Sequence, residues 1–140
     1  MPELDRPYPS IPRAVMALLK YEMPGLIETV ISSWPADATQ RATAPGALPL
    51  VRVAGLGGTT DETTKSEPID VDVLTSTWSA SDLISRQIEQ VLMAYPHQVR
   101  SGGPFAYLDF VTTIVGPQEV PWGDPNVRRF IASYRISARR

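Results

Sequence analysis

The sequence contains no cysteine, a single histidine and only two lysines in 140 residues. Without cysteine there is no disulfide, no thiolate metal site and no cysteine nucleophile. His97, alone and with no thiolate to join it, does not supply a zinc ligand set. Neither Ser-x-x-Lys nor Gly-x-Ser-x-Gly occurs, so serine catalysis has no motif behind it. No apolar run approaches the ~18 residues that a membrane-spanning helix needs. The opening Met-Pro-Glu-Leu-Asp-Arg lacks the basic-then-apolar order of a signal peptide, and use inside a cell is the expectation. A net charge of −2 argues against a broad basic surface for nucleic acid. No cofactor is expected.

What is present reads as one globular domain over residues 1–140. Hydrophobic residues make up 43% and charged residues 20%, an ordinary balance for a packed chain. Fourteen prolines and nine glycines cluster between apolar stretches, which predicts long loops joining regular elements. Eleven of the thirteen basic residues are arginine, and five of these, Arg128, Arg129, Arg135, Arg139 and Arg140, fall in the last thirteen positions. Arginine favours planar, bidentate pairing at interfaces more than lysine does.

The strongest pattern is at the end of the chain. Phe105–Val115 and Val127–Ile136 are rich in β-branched and aromatic residues and flank the turn-forming stretch Gly116–Pro125, which predicts a long β-hairpin. In the second arm Phe130, Ala132, Tyr134 and Ile136 alternate with Arg129, Ser133, Arg135 and Ser137, giving one core face and one polar face. Earlier, residues 1–9 hold three prolines and are expected to be extended. Ser10 with Pro12 starts a helix carrying Ile11, Val15, Leu18 and Leu19, and Pro24-Gly25 stops it. Leu26–Trp34 is ambiguous between strand and other structure. Pro35–Ala47 reads as a loop, Leu48–Ala54 as a strand, and Gly55–Ser66 as a polar, mobile loop. Pro68–Trp78 reads as a strand with Ile69, Val71 and Val73 on one face. A second helix follows over 79–95, capped by Ser79 or Ser81. Its expected stripe is Leu83, Ile84, Ile88, Val91, Leu92 and Tyr95, with Asp82, Ser85, Arg86, Glu89 and Gln90 in solvent. The order predicts an α+β fold, a mainly antiparallel sheet of four to five strands with two helices on one face.

Few residues suggest chemistry. Asp70 and Asp72 form a carboxylate pair, but a metal or acid/base role would want further carboxylates or a histidine close by, and at i,i+2 on a strand they mark its polar face. Gly55-Leu-Gly-Gly-Thr-Thr lacks the Lys-Ser/Thr of a phosphate loop and no helix follows it directly. Trp34 and Trp78 are expected in the core. Trp122, in Val-Pro-Trp-Gly-Asp-Pro at the hairpin tip, suits either packing or an interface.

Three ordered stretches resemble the tail terminator proteins of long-tailed phages, in particular the short tail-completion proteins of actinobacterial siphophages. They are Leu50-Val-Arg-Val with its following Gly-Gly loop; Ile69-Asp-Val-Asp-Val-Leu with Ala80-Ser-Asp-Leu and Val91-Leu-Met-Ala-Tyr-Pro; and Val115-Gly-Pro-Gln-Glu-Val-Pro-Trp-Gly-Asp-Pro-Asn-Val-Arg-Arg-Phe, closing with Ala132-Ser-Tyr-Arg-Ile-Ser-Ala-Arg. The resemblance implies a non-enzymatic virion protein made in the bacterial cytoplasm. It would form a six-fold ring on the tail tube, stop polymerisation and meet the head connector, with the tube protein and a head-closure protein as partners. DNA would cross the lumen without specific binding. On that reading Trp122, Asp124, Arg128, Arg129, Arg135 and Arg139 are expected at interfaces, and Asp70 and Asp72 on an acidic, lumen-facing surface. The alternatives are a head-closure or connector ring protein, a small ligand-binding or enzyme domain, and a DNA-binding module resting on the arginine cluster.

Overall fold

The computed structural model describes residues 10–24, 29–31, 48–60, 64–100 and 105–139. Helix α1 spans Ile11–Glu22 and α2 spans Trp78–Met93. The strands are β1 (Thr29–Ile31), β2 (Leu50–Gly55), β3 (Thr59–Thr60), β4 (Thr64–Thr75), β5 (His97–Arg100), β6 (Phe105–Val120) and β7 (Arg128–Arg139). They form one sheet of order β1-β2-β4-β7-β6-β5, with β3 paired to β4. Only β1–β2 is parallel; the rest is antiparallel. The predicted α+β class and C-terminal hairpin hold, with more strands than expected because β1, β3 and β5 are two to four residues long.

Helix α1 follows its sequence signals. The Ser10 hydroxyl accepts the Arg13 N–H at 3.4 Å and Pro12 sits in the first turn, where no amide partner is lost. Ile11, Ala14, Val15, Leu18 and Leu19 are buried, and the Met23 N–H closes on the Leu19 carbonyl at 2.9 Å before Pro24.

Helix α2 departs from expectation in its cap and its face. The cap is Thr77, whose hydroxyl accepts the Ala80 N–H at 3.2 Å, rather than Ser79 or Ser81. The buried set is Ser81, Ile84, Ser85, Ile88 and Leu92, while Leu83 is 46% exposed. Spacing of 3, 4 and 7 picks out this stripe once small serines are allowed inside it. Ser81 is not idle there: its hydroxyl meets Thr75 Oγ1 at 2.7 Å and donates to the Arg128 carbonyl at 2.9 Å. It therefore joins α2 to β4 and β7.

Both helices lie on one face of the sheet. Ile84, Ile88 and Leu92 of α2 and Val15, Leu18 and Leu19 of α1 share one buried cluster with Val51, Val53, Ile69, Val71, Val73, Tyr134 and Ile136. The alternation read in β4 and β7 sets this face. The two strands pair over their whole length, from Thr64↔Arg139 to Thr75↔Arg128. Pro68 sits in this central strand without breaking it. Its carbonyl accepts the Leu56 N–H at 3.0 Å, so its missing donor points to the same side, at the gap between the end of β2 and the start of β3. The expected mobile loop 55–66 is thus partly sheet, with Thr59↔Ser66 and Thr60↔Lys65 paired. Gly58 fits because its backbone lies against the Ser66 carbonyl, where a Cβ would collide.

The hairpin is longer on its first arm than predicted. Strand β6 continues through Gly116-Pro117 to Val120, and the connection is only 121–127. Register shifts at Leu108/Phe110, Thr113/Val115 and Val115/Gln118 let β6 carry extra residues against β7. Such bulges bend a strand and increase its twist.

Candidate functional site

The sheet face opposite the helices holds Asp70, Asp72, Arg129, Arg135 and Arg139. Asp72 is fully buried and lies between two guanidinium groups. Arg52 Nε donates to Oδ2 at 3.1 Å from β2; Arg129 donates to Oδ1 from β7 through Nε at 2.8 Å and Nη2 at 2.7 Å. One carboxylate therefore ties three adjacent strands together, and its oxygens are saturated by charged donors. The expectation that Asp72 presents open negative charge is corrected: its charge is buried and neutralised. Asp70 is half-buried and accepts the Ser133 hydroxyl at 2.5 Å across the β4–β7 pair.

The same network fixes the hairpin tip. The Arg129 guanidinium lies over the Trp122 ring at 5.6 Å from its centroid. Trp122 packs with Leu48 against a small second core of Leu50, Leu74 and Val127. Instead of projecting as a free anchor, Trp122 folds the tip back over the sheet. Asp124 Oδ1 accepts the Asn126 N–H at 2.8 Å, and the Asp124 carbonyl accepts the Val127 N–H at 3.1 Å, so the tip is an ordered turn.

The remaining arginines are at the surface. Arg128 pairs with Glu119 at 3.5 Å, on the strand face opposite Arg129. Arg139 pairs with Asp109 at 3.1 Å and covers the Tyr107 ring at 4.9 Å. Arg135 is exposed in mid-strand and forms no ion pair among the described residues. The structure thus separates the predicted interface set into two groups. Trp122 and Arg129 build the domain, while Asp124, Arg128, Arg135 and Arg139 remain reachable.

Sequence reasoning missed the outer edge of β6. Strand β5 pairs only with Phe105–Leu108, leaving the outer side of 109–120 without a strand partner among the described residues. Phe110, Ile114 and Val115 are exposed there at 62%, 49% and 42%. Phe110 stacks at a tilt on Tyr95, centroids 5.7 Å apart. Together with Pro96, Thr64, Ser137, Asp109 and Arg139 these rings line an open groove of about 610 Å³. The alternation rule could not find it. The shift between Leu108 and Phe110 resets the phase, so that Leu108 and Val111, three apart, both point into the core.

Inside the core the Tyr134 hydroxyl donates to Glu89 Oε2 at 3.0 Å. Burial, then the Glu89 charge and the hydrogen bond to it, push the phenol far above its ordinary value. Among the described residues no group of three or more acids and histidines could hold a metal ion, and no helix is long and apolar enough to cross a membrane.

The fold aligns with solved structures. A chain of the virion of a native gene transfer agent particle superposes with a TM-score of 0.64 at 12% identity, covering 94% of this chain and 96% of its own. A second solved chain gives 0.53 at 12% identity, with 90% and 88% covered. At such identity the likeness is one of fold. No curated protein matches. The sequence model for phage tail termination proteins matches residues 7–140, from before α1 to the end of β7, and the chain belongs to that family.

Proposed function

We propose that the protein is a structural component of a virion that ends the growth of a tail tube. Copies would assemble head-to-tail into a closed ring, expected to be six-fold, seated on the last layer of tube protein. The opposite surface of the ring would receive the head-closure or connector protein, and DNA would pass through the lumen without specific contacts. It would act by occupying a surface rather than by catalysis. The observation that carries this reading is the family match across nearly the whole chain. Likeness of fold to a gene transfer agent virion chain supports it. So does the sheet itself: its two ends differ, β1 and β2 on one side and β6 and β5 on the other, and a heterologous ring needs two different surfaces on each subunit.

Asp124, Arg128, Arg135 and Arg139 are the residues proposed to meet neighbours. Of the acids proposed to face the lumen, Asp70 is retained, and Asp72 is withdrawn because its charge is consumed inside the domain. The decisive experiment measures the mass of the purified protein and images it by negative-stain electron microscopy, then adds it to polymerising tube protein. Rings that cap tubes and limit their length are the expected result. A strictly monomeric protein that leaves tube length unchanged overturns the reading. Recovery with tailless heads rather than headless tails would assign it to head closure instead.

A further inference from the structure

The root of the hairpin tip is held from both faces of the sheet. Val127 is buried with Leu50 and Leu74 in the small second core. The Arg128 carbonyl accepts the Ser81 hydroxyl of α2 at 2.9 Å. Arg129, on the face away from the helices, grips Asp72 with two nitrogens and lies over the Trp122 ring. Phe130 then meets Trp78 edge-on, with centroids 5.6 Å apart. Consecutive residues are thus fixed by separate contacts, and the connection 121–127 leaves from them with the two hydrogen bonds of Asp124 inside it.

Apolar packing of Trp122 would hold the tip down without fixing its orientation, because burial has no direction. The charges beneath it do have one. Asp72 is fully buried, and its two oxygens meet guanidinium groups from the strands on either side. The cost of taking these charges out of water offsets most of what their attraction returns, and apolar residues of similar volume in such a place are often equally stabilising or more so. What the network adds is selectivity. A tip turned aside, or a strand slipped by one residue, leaves a charged group buried without its partner, and that arrangement is strongly disfavoured.

We propose that Arg52, Asp72 and Arg129 are positioning residues. They hold the tip in one orientation, with Asp124 in its turn and Arg128 at its root set for the neighbouring subunit. To the stability of the domain they add little beyond what apolar side chains would supply. Their action on the tip stands on the geometry above; the neighbour contact rests on the ring reading.

The test separates stability from position. In one variant the whole network is made apolar: Arg52→Met, Asp72→Leu and Arg129→Met. In a second, Arg129→Lys keeps the charge and loses the planar fork. Both should melt within about 6 °C of wild type as free domains. Hydrogen exchange at the Asn126 and Val127 amides should be about ten-fold faster in the triple variant and about three-fold faster in Arg129→Lys, with Val71 and Tyr134 exchanging as in wild type. A larger drop in melting temperature in both variants shows that the network holds the fold and overturns the proposal, as does unchanged exchange at the tip. If the triple variant does not fold, Arg129→Lys decides alone. Where wild-type rings form, the triple variant should need about ten-fold more protein to form them, because a loose tip must be ordered on assembly. Equal ring formation with a loosened tip removes the tip from the contact and overturns that half of the proposal. A wild type that never assembles sinks the ring reading, and exchange still decides the positioning.

Discussion

At the scale of single residues, Asp72 is the position where the structure departs furthest from a reading of surface charge. Removing its carboxylate takes away the acceptor that Arg52 and Arg129 share in a largely buried site. Breaking a buried pair costs roughly 3–5 kcal/mol, and the partly exposed arginines place Asp72→Ala near the low end, about 3 kcal/mol. Urea titration of the free domain checks this, and Asp70→Ala should cost much less because among the described residues Asp70 meets the neutral Ser133 hydroxyl and no cation. Tyr134 sets an alkaline limit. Its phenol is raised in the folded state, so it binds its proton more tightly there than in the unfolded chain. The stability this gives is complete below the ordinary tyrosine value of about 10 and is lost as pH rises above it, at about 1.4 kcal/mol per pH unit. Tyr134→Phe should be less stable at pH 7, by about 1 kcal/mol for the lost hydrogen bond, yet should lose less stability between pH 10 and 11. Denaturation curves across that range decide it.

Among the elements, α2 gives the sharpest test of packing. If the helix is seated on Ser81, Ile84, Ser85, Ile88 and Leu92, then Ile84→Ala removes buried methylenes and costs about 2–5 kcal/mol, whereas Leu83→Lys stays within about 0.5 kcal/mol. Thermal melts of the two variants separate this seating from the one that places Leu83 inward. Thr77→Ala should cost about 1 kcal/mol through loss of the helix cap. Strand β6 shows a different principle. Its bulges and Pro117 break the open edge into short regular pieces, which restrains uncontrolled strand addition while leaving side chains available for a defined contact.

For the molecule as a whole, stability and assembly are carried by different parts. One sheet face is covered by helices; part of the other is closed by the Trp122 tip through Arg129 and Asp72. Arg135 lies outside both clusters and is exposed. Charge reversal there, Arg135→Glu, should leave the melting temperature of the free domain within about 2 °C, because surface changes of this kind are worth about 0.5 kcal/mol or less. It should shift the mass distribution of the assembled protein toward free subunits. Analytical ultracentrifugation of the variant beside wild type measures both species, and an unchanged distribution would remove Arg135 from the interface.

The sequence by itself determined the class of fold, because period-2 alternation in β4 and β7 and period-3.6 spacing in α1 and α2 are local signals written by burial. It determined the ends of α1 through Ser10, Pro12 and Pro24, whose effects on the backbone are also local. Tertiary structure decided what those signals could not encode. Asp72 became a buried tie only because β2 and β7 bring Arg52 and Arg129 to it from 20 and 57 residues away. Ser81 and Ser85 entered the core because an opposing strand left room for small side chains and, at Ser81, offered hydrogen bonds. The Tyr95–Phe110 groove exists because a bulge in β6 resets the alternation and β5 stops short, and both follow from pairing between distant strands rather than from any local pattern.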